Sequence, residues 1–180
     1  MNTFEEDLER AVKYHGHLCS GQLLGVRMAR MACRILKIED PVNSKRLIVY
    51  VENDRCLADA IGTVTGCKLG KRTLKWKDFG KSAATFVDLE NNHAVRLHTI
   101  SHLYPDPGVD ILTFFGRYSD EELFAAEEVK VDIKAEELPG PPLEVKVCEV
   151  CYEEILDGRH VIKDGKVMCR HCAGEGYYTK

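Results

Sequence analysis

The chain has 180 residues, 44% hydrophobic and 30% charged, which suits one domain of ordinary size plus a small appendage. Its formal net charge of −4 argues against a general attraction to nucleic acid or to anionic membranes, so neither is an expected partner. Without a signal peptide or a bilayer-length apolar segment, the chain is expected to be cytoplasmic, where its eight cysteines serve as metal ligands or reactive thiols rather than disulfides.

Hydrophobic periodicity predicts helices first and strands later. Thr3 and Glu6 form a capping box for a first helix that ends near Tyr14, and a longer helix runs from about Gly21 to Lys37. The later pattern predicts a buried strand over 47–51, a short helix over 56–64, a hairpin region around 74–76, strands over 83–89 and 94–100, a helix over 119–126 and a strand over 128–134. This order predicts an α+β fold in which N-terminal helices pack on a mostly antiparallel sheet.

A Pro-Gly-Pro-Pro run separates this part of the chain from its tail. Such a run cannot continue a helix or a central strand. We therefore predict a first domain over 1–138, a linker over 139–145 and a small second domain over 146–180.

The small domain contains two Cys-x2-Cys pairs, with a predicted hairpin turn at Asp164-Gly165 between them. This order of pair, hairpin and pair is typical of a zinc ribbon or treble clef, and so short a segment needs a metal for stability. The predicted zinc ligands are Cys148, Cys151, Cys169 and Cys172, with His171 as an alternative to one of them.

The run His15-Gly16-His17-Leu18-Cys19 contains three potential metal ligands. Alternate residues of an extended loop point the same way, so the two imidazoles and the thiol can converge. The positive end of the following helix favours the thiolate of Cys19. Imidazoles with a thiolate suit zinc, nickel or iron, whereas a buried structural turn is the alternative interpretation.

Two further cysteines, Cys56 and Cys67, flank the short predicted helix. Cys56 opens that helix, where a depressed pKa is expected, although both residues can also be ordinary buried cysteines. His93, His98 and His102 lie on or near strands and are most simply interpreted as structural histidines. Even so, His93 or His98 can complete a coordination sphere.

Four blocks of sequence together resemble the signature of the FmdE family of formylmethanofuran dehydrogenase proteins. They are residues 15–29, 56–61, 65–71 and 78–81, and they occur in the family's order. Some members also have a C-terminal cysteine-rich zinc module. Family members often have proline where this chain has Ser20.

The resemblance implies a homodimeric α+β core with a metal-binding or active site. By similarity, that site is lined by His17, Cys19 and Cys56, with His15, Asp59 and Cys67 as further members. It also implies partner subunits of a molybdenum- or tungsten-dependent oxidoreductase of C1 metabolism.

We therefore expect a metal-binding accessory protein, with zinc in the tail and a second transition metal in the first domain. The alternative is a stand-alone enzyme in which Cys19 or Cys56 is the nucleophile or a bound metal activates water. The sequence does not decide whether the protein is an enzyme. Lys68, Lys71 and Lys81 lie near Cys67 in sequence and are candidates for steering an anionic ligand.

Overall fold

The computed structural model describes residues 1–100 and 103–179. The chain forms two compact units, residues 1–131 and residues 132–180. The boundary precedes the predicted linker, so the Pro/Gly segment lies within the second unit. Among the residues described, none of the helices combines the length and apolarity that crossing a bilayer requires.

Three helices lead the first unit: α1 (Phe4–His15), α2 (Ser20–Ile35) and α3 (Cys56–Thr65). The predicted capping box of α1 is confirmed, because the Thr3 hydroxyl accepts from the Glu6 N–H at 3.2 Å and the Glu6 carboxylate accepts from the Thr3 N–H at 2.8 Å. Gly16 ends α1 with a φ of 102°, a conformation that glycine adopts without strain.

The first unit's sheet has five strands in the order β2-β1-β3-β4-β5. They are β1 (Leu47–Val51), β2 (Leu74–Trp76), β3 (Ala83–Asp88), β4 (His93–Thr99) and β5 (Phe124–Val129). The predicted hairpin around β2 is wrong, since β2 pairs with β1 in parallel. A parallel pair needs a crossover connection, and α3 supplies it. The other neighbouring strands pair antiparallel, so the predicted α+β class is confirmed.

The end of the first unit differs from the prediction. Two short helices, α4 (Ile111–Phe115) and α5 (Asp120–Leu123), precede β5. The predicted helix over 119–126 is therefore too long, and the predicted strand over 128–134 starts too late. Pairing with β4 explains both errors, because Ala126 lies opposite Leu97 in that ladder and tertiary contacts override local propensity.

The core of the first unit lies between the helices and one face of the sheet. Leu23, Val26 and Ile61 from the helices and Phe86 and Leu97 from the sheet are almost fully buried. Burying these side chains supplies the main stabilising free energy of the unit.

An ion pair fastens the chain just beyond β1. The Arg96 guanidinium donates to both carboxylate oxygens of Glu52 at 2.6 and 2.9 Å, and Glu52 is only 5% exposed. This hydrogen bonding lowers the pKa of Glu52, so the pair is charged at neutral pH.

The second unit consists of two small antiparallel hairpins. The first pairs β6 (Val145–Val147) with β7 (Glu154–Leu156), and the second pairs β8 (Val161–Lys163) with β9 (Lys166–Met168). The predicted turn at Asp164-Gly165 is confirmed, with φ values of 52° and 75°. A helical turn over His171–Glu175 follows.

Candidate metal centres

The first centre lies where α1 ends and α2 begins. Gly16 turns the chain between His15, the last residue of α1, and His17. Cys19 is the N-cap of α2, and its sulfur accepts a hydrogen bond from the Gln22 N–H at 3.4 Å. The short sequence run is thus folded back into one corner of the unit.

His15, His17 and Cys19 each bring one ligand atom into a group whose members all lie within 4.8 Å of one another. Ligand atoms that share one zinc ion at about 2.0–2.3 Å lie at most about 4.6 Å apart, so small side-chain adjustments suffice. Two imidazoles and a thiol are a donor set that suits zinc, nickel or iron.

The orientation of His15 fits a metal ligand. Its Nδ1 lies 2.9 Å from an Asp59 carboxylate oxygen, whereas its Nε2 is buried and without a partner among the described residues. A carboxylate that accepts from one ring nitrogen leaves the lone pair of the other free for a metal. Asp59 is therefore a positioning residue for His15 rather than a direct ligand.

Close packing of α2 on α3 brings Cys56 to the same corner. A Cβ on Gly21 would lie 2.8 Å from the Cβ of Cys56, and one on Gly25 would lie 2.7 Å from the Cβ of Ala60. In addition, the Gln22 side-chain amide donates to the Cys56 carbonyl at 2.6 Å. The two glycines thus allow a helix contact that larger residues would prevent.

The Cys56 thiol is hydrogen-bonded to that of Cys19, but it is not a member of the three-residue group. The expected depression of its pKa is wrong. Burial raises the pKa of Cys56, and the adjacent Cys19 thiol raises it further. Desolvation and a neighbouring thiol outweigh the dipole of α3.

Cys67 lies elsewhere in the unit. It is 5% exposed, its sulfur is 3.6 Å from the carbonyl oxygen of Leu47, and burial raises its pKa. Within the described residues it belongs to neither ligand group. Its predicted place in the first-domain site is therefore not supported by the geometry, because it follows the C-terminal end of α3 whereas Cys56 opens the N-terminal end.

The three lysines proposed for an anionic ligand do not act together. Lys68 and Lys71 line a cavity that also contains Asp59 and Cys67, whereas Lys81 lines a different cavity beside Ser20.

The remaining histidines of the first unit are accounted for differently. His93 lies 3.3 Å from a Glu128 oxygen and His98 lies 3.5 Å from a Glu127 oxygen, which fits structural pairs. His102 lies outside the described residues.

The second centre consists of four cysteines in the second unit. The sulfurs of Cys148, Cys151, Cys169 and Cys172 all lie within 4.8 Å of one another. Backbone hydrogen bonds from Cys151 and Cys169 lower the pKa of the Cys148 thiol to about 6, whereas its hydrogen bond to Cys169 raises that of Cys172 to about 12. The crowded thiols therefore ionise one after another, and a bound dication would remove their mutual repulsion.

His171 is not part of the four-cysteine group. Its ring stacks on that of Tyr178, with centroids 4.1 Å apart and planes 10° apart. Because the ideal Cβ position of Gly176 falls 2.0 Å from the ring nitrogen Nδ1, only glycine leaves room for this stack. The geometry therefore favours four thiolates over the alternative with His171.

Two features of the first centre were not predicted. One is the Gly21/Gly25 contact, whose signal was the Gly-x3-Gly spacing within a helix. The other is Gln22, a fully buried polar residue that links the start of α2 to the start of α3. A glutamine between apolar residues of a predicted core stripe was its only signal.

Three comparisons relate the chain to known proteins. A family model described as "FmdE, Molybdenum formylmethanofuran dehydrogenase operon" matches residues 14–136. A probable S-adenosyl-L-methionine-binding protein of Archaeoglobus fulgidus is 29% identical over 198 aligned residues, which cover 94% of this chain and 53% of that protein. The chain thus spans about half the length of this curated relative.

A solved structure shares the fold. The crystal structure of an FmdE-like tungsten formylmethanofuran dehydrogenase protein from Syntrophus aciditrophicus matches with a TM-score of 0.62 and 20% sequence identity. The match covers 99% of this chain and 96% of that one.

Proposed function

Because this chain belongs to the FmdE family, and because its histidines and cysteines form two groups that can bind metal, we propose that it is a metal-binding accessory protein. In this proposal, the first unit holds a transition metal for use by a partner oxidoreductase. The second unit holds a structural zinc ion. The molybdenum or tungsten C1 system named for the family is the proposed setting.

The observation that carries the proposal is the state of His15. Asp59 occupies its Nδ1, and its Nε2 is buried without a described partner next to His17 and Cys19. A buried unpaired nitrogen costs free energy unless something binds it, and a metal ion does so while leaving the Asp59 hydrogen bond intact. A purely structural turn has no use for this arrangement.

Exposure separates the two sites in role. His17 is exposed, so a metal in the first unit would be open to solvent or to a partner. The four-cysteine group has no such exposed member, and Cys148 is completely buried. Four thiolates around one zinc form a closed structural site.

The number of ligands bears on the enzymatic alternative. Three protein ligands leave a zinc ion with an open position, which is the arrangement of catalytic sites. If Cys56 joins His15, His17 and Cys19 as a fourth ligand, the sphere is closed and storage or transfer is favoured. If it stays outside, water can bind and hydrolytic chemistry is favoured.

Metal analysis of the full chain tests the proposal. The protein is purified with and without added zinc, nickel or iron, and metal per chain is measured by mass spectrometry. We expect two ions per parent chain and one in Cys19→Ala. Cys33→Ala is the matched control, because Cys33 is a buried cysteine outside both groups and its loss leaves two ions.

The same measurement distinguishes the two candidate functions. One ion per chain in both the parent and Cys19→Ala would contradict a metal site in the first unit. If two ions bind the parent and one binds Cys56→Ala, the closed site is supported. Two ions in Cys56→Ala would favour the open site and the enzymatic alternative.

A homodimer and oxidoreductase partner subunits are part of the proposal. The first unit has large apolar residues at its surface, among them Leu69 at 67% and Tyr104 at 79% exposure. Such exposure is typical of association surfaces when the residues are contiguous. Light scattering during size-exclusion chromatography would give the oligomeric state.

A further inference from the structure

A second candidate site lies next to Asp59, in a cavity of about 690 Å³ that we call the Asp59 cavity. It is formed by the last turns of α1, the exposed side of α3 and the 66–74 segment. The volume is typical of a small-molecule site. Asp59 lines this cavity while it holds His15, so the cavity borders the candidate metal centre.

The charges of the cavity are mostly positive. Lys13, Lys68 and Lys71 line it and are exposed, and none of them is in a salt bridge with a described residue. Arg10 also lines it, but its charge is shared with Asp7 at 3.4 Å. Of the described lining residues, Asp59 alone is acidic, so the cavity is cationic in a chain whose net charge is −4.

The rest of the lining is largely apolar. Val42, Ala58 and Leu74 form part of the wall, and Leu69 extends beside the lysines with 67% of its surface exposed. An exposed leucine between two lysines loses free energy in water, which an apolar ligand surface would recover. A cation with bound water alone would not use this wall.

We propose that the Asp59 cavity binds a small organic anion with an apolar or aromatic body. Its phosphate or carboxylate contacts Lys68 and Lys71, and its body lies on Leu69 and Leu74. The anionic end points away from Asp59, because two negative groups repel each other. That the ligand lies beside a metal rests on the proposed function, whereas binding itself does not.

Nuclear magnetic resonance titration of the full chain with matched probes tests this proposal. The probes are 1-naphthyl phosphate, 1-naphthoate, 1-naphthalenemethanol and inorganic phosphate. We expect saturable shifts of the backbone amides of residues 58–71 with both naphthyl anions. The neutral alcohol and inorganic phosphate, which each lack half of the recognised chemistry, should bind at least about tenfold more weakly.

Variants assign the site. The double variant Lys68→Glu with Lys71→Glu should weaken 1-naphthyl phosphate binding by about tenfold or more, because two charge-assisted contacts become repulsive. Lys37→Glu with Lys130→Glu changes the net charge equally at exposed lysines outside the cavity and should leave binding unchanged.

Three results would overturn the proposal: equal binding of charged and neutral naphthyl probes, shifts confined to residues outside the cavity, or unchanged affinity in the Lys68/Lys71 variant. Cys19→Ala separates this proposal from the metal proposal. Because the cavity contains no residue of the three-member ligand group, naphthyl phosphate should still bind this variant. Binding retained with one metal per parent chain would sink only the metal proposal.

Discussion

The replacement Gly21→Ala tests the contact that joins the two thiol-bearing helices. The added Cβ would lie 2.8 Å from the Cβ of Cys56 and 3.4 Å from the backbone nitrogen of Leu57. Carbon atoms in favourable contact are about 3.5–4.0 Å apart, so α2 and α3 must separate by roughly 1 Å at this point. Neither atom belongs to the far end of a flexible side chain, so neither can simply turn aside.

Overpacking of this kind costs about 1–3 kcal/mol, and alanine recovers about 0.5–1 kcal/mol through its higher helix propensity. We therefore expect the free energy of unfolding to fall by about 1–2 kcal/mol. A shift of roughly 1 Å also exceeds the tolerance of about 0.2 Å in metal–ligand distances. If Cys56 is a ligand, zinc affinity of the first unit should fall although no ligand has been changed.

Urea denaturation measures the stability, and competition with a zinc-binding dye measures the affinity. Gly70→Ala is the matched control, since its Cβ would meet nothing within 4 Å. That variant should unfold within about 0.5 kcal/mol of the parent. Parental stability together with parental affinity in Gly21→Ala would refute the claim that close helix packing positions Cys56.

Three further predictions address other parts of the molecule. Asp59→Asn should lower the metal affinity of the first unit by about 10–100-fold without changing the zinc content of the tail, and a competition titration giving parental affinity would remove Asp59 from its positioning role. Glu52→Gln should lower the free energy of unfolding at neutral pH by about 1–3 kcal/mol, because it leaves Arg96 partly unpaired. Since Arg96 lowers the pKa of Glu52, this contribution is complete above the ordinary titration range of glutamate and is lost on acidification, so urea midpoints of parent and variant should converge at low pH. Chelation of the full chain should abolish dispersed amide signals of residues 145–175 while core signals of the first unit persist, and unchanged tail signals in metal-free protein would contradict a structural zinc.

Local signals made much of the fold predictable. The Thr3/Glu6 capping box, the apolar run of β1 and the Asp164-Gly165 turn each specify structure within a few residues. Elements whose structure depends on distant partners were less predictable. The parallel pairing of β2 is determined by the crossover through α3, and β5 forms where β4 offers an unpaired edge rather than where local propensity favours a helix.

The candidate site shows the same division. The spacing of His15, His17 and Cys19 predicts their proximity, because they are joined by a short loop. Asp59 entered only through family resemblance, since nothing near it in sequence indicates that it reaches His15. The pKa of Cys56 was predicted in the wrong direction, because burial and the neighbouring thiol come from the packing of α2 on α3.

Anomalous diffraction from crystals of the full chain, collected at the absorption edges of zinc, nickel and iron, tests the two-metal proposal most directly. We expect two metal peaks per chain. One should lie among the four cysteines of the tail, and the other should contact Nε2 of His15 together with His17 and Cys19. A single peak in the tail of crystals grown with excess metal, with Nε2 of His15 bonded to protein or water, would contradict a metal centre in the first unit.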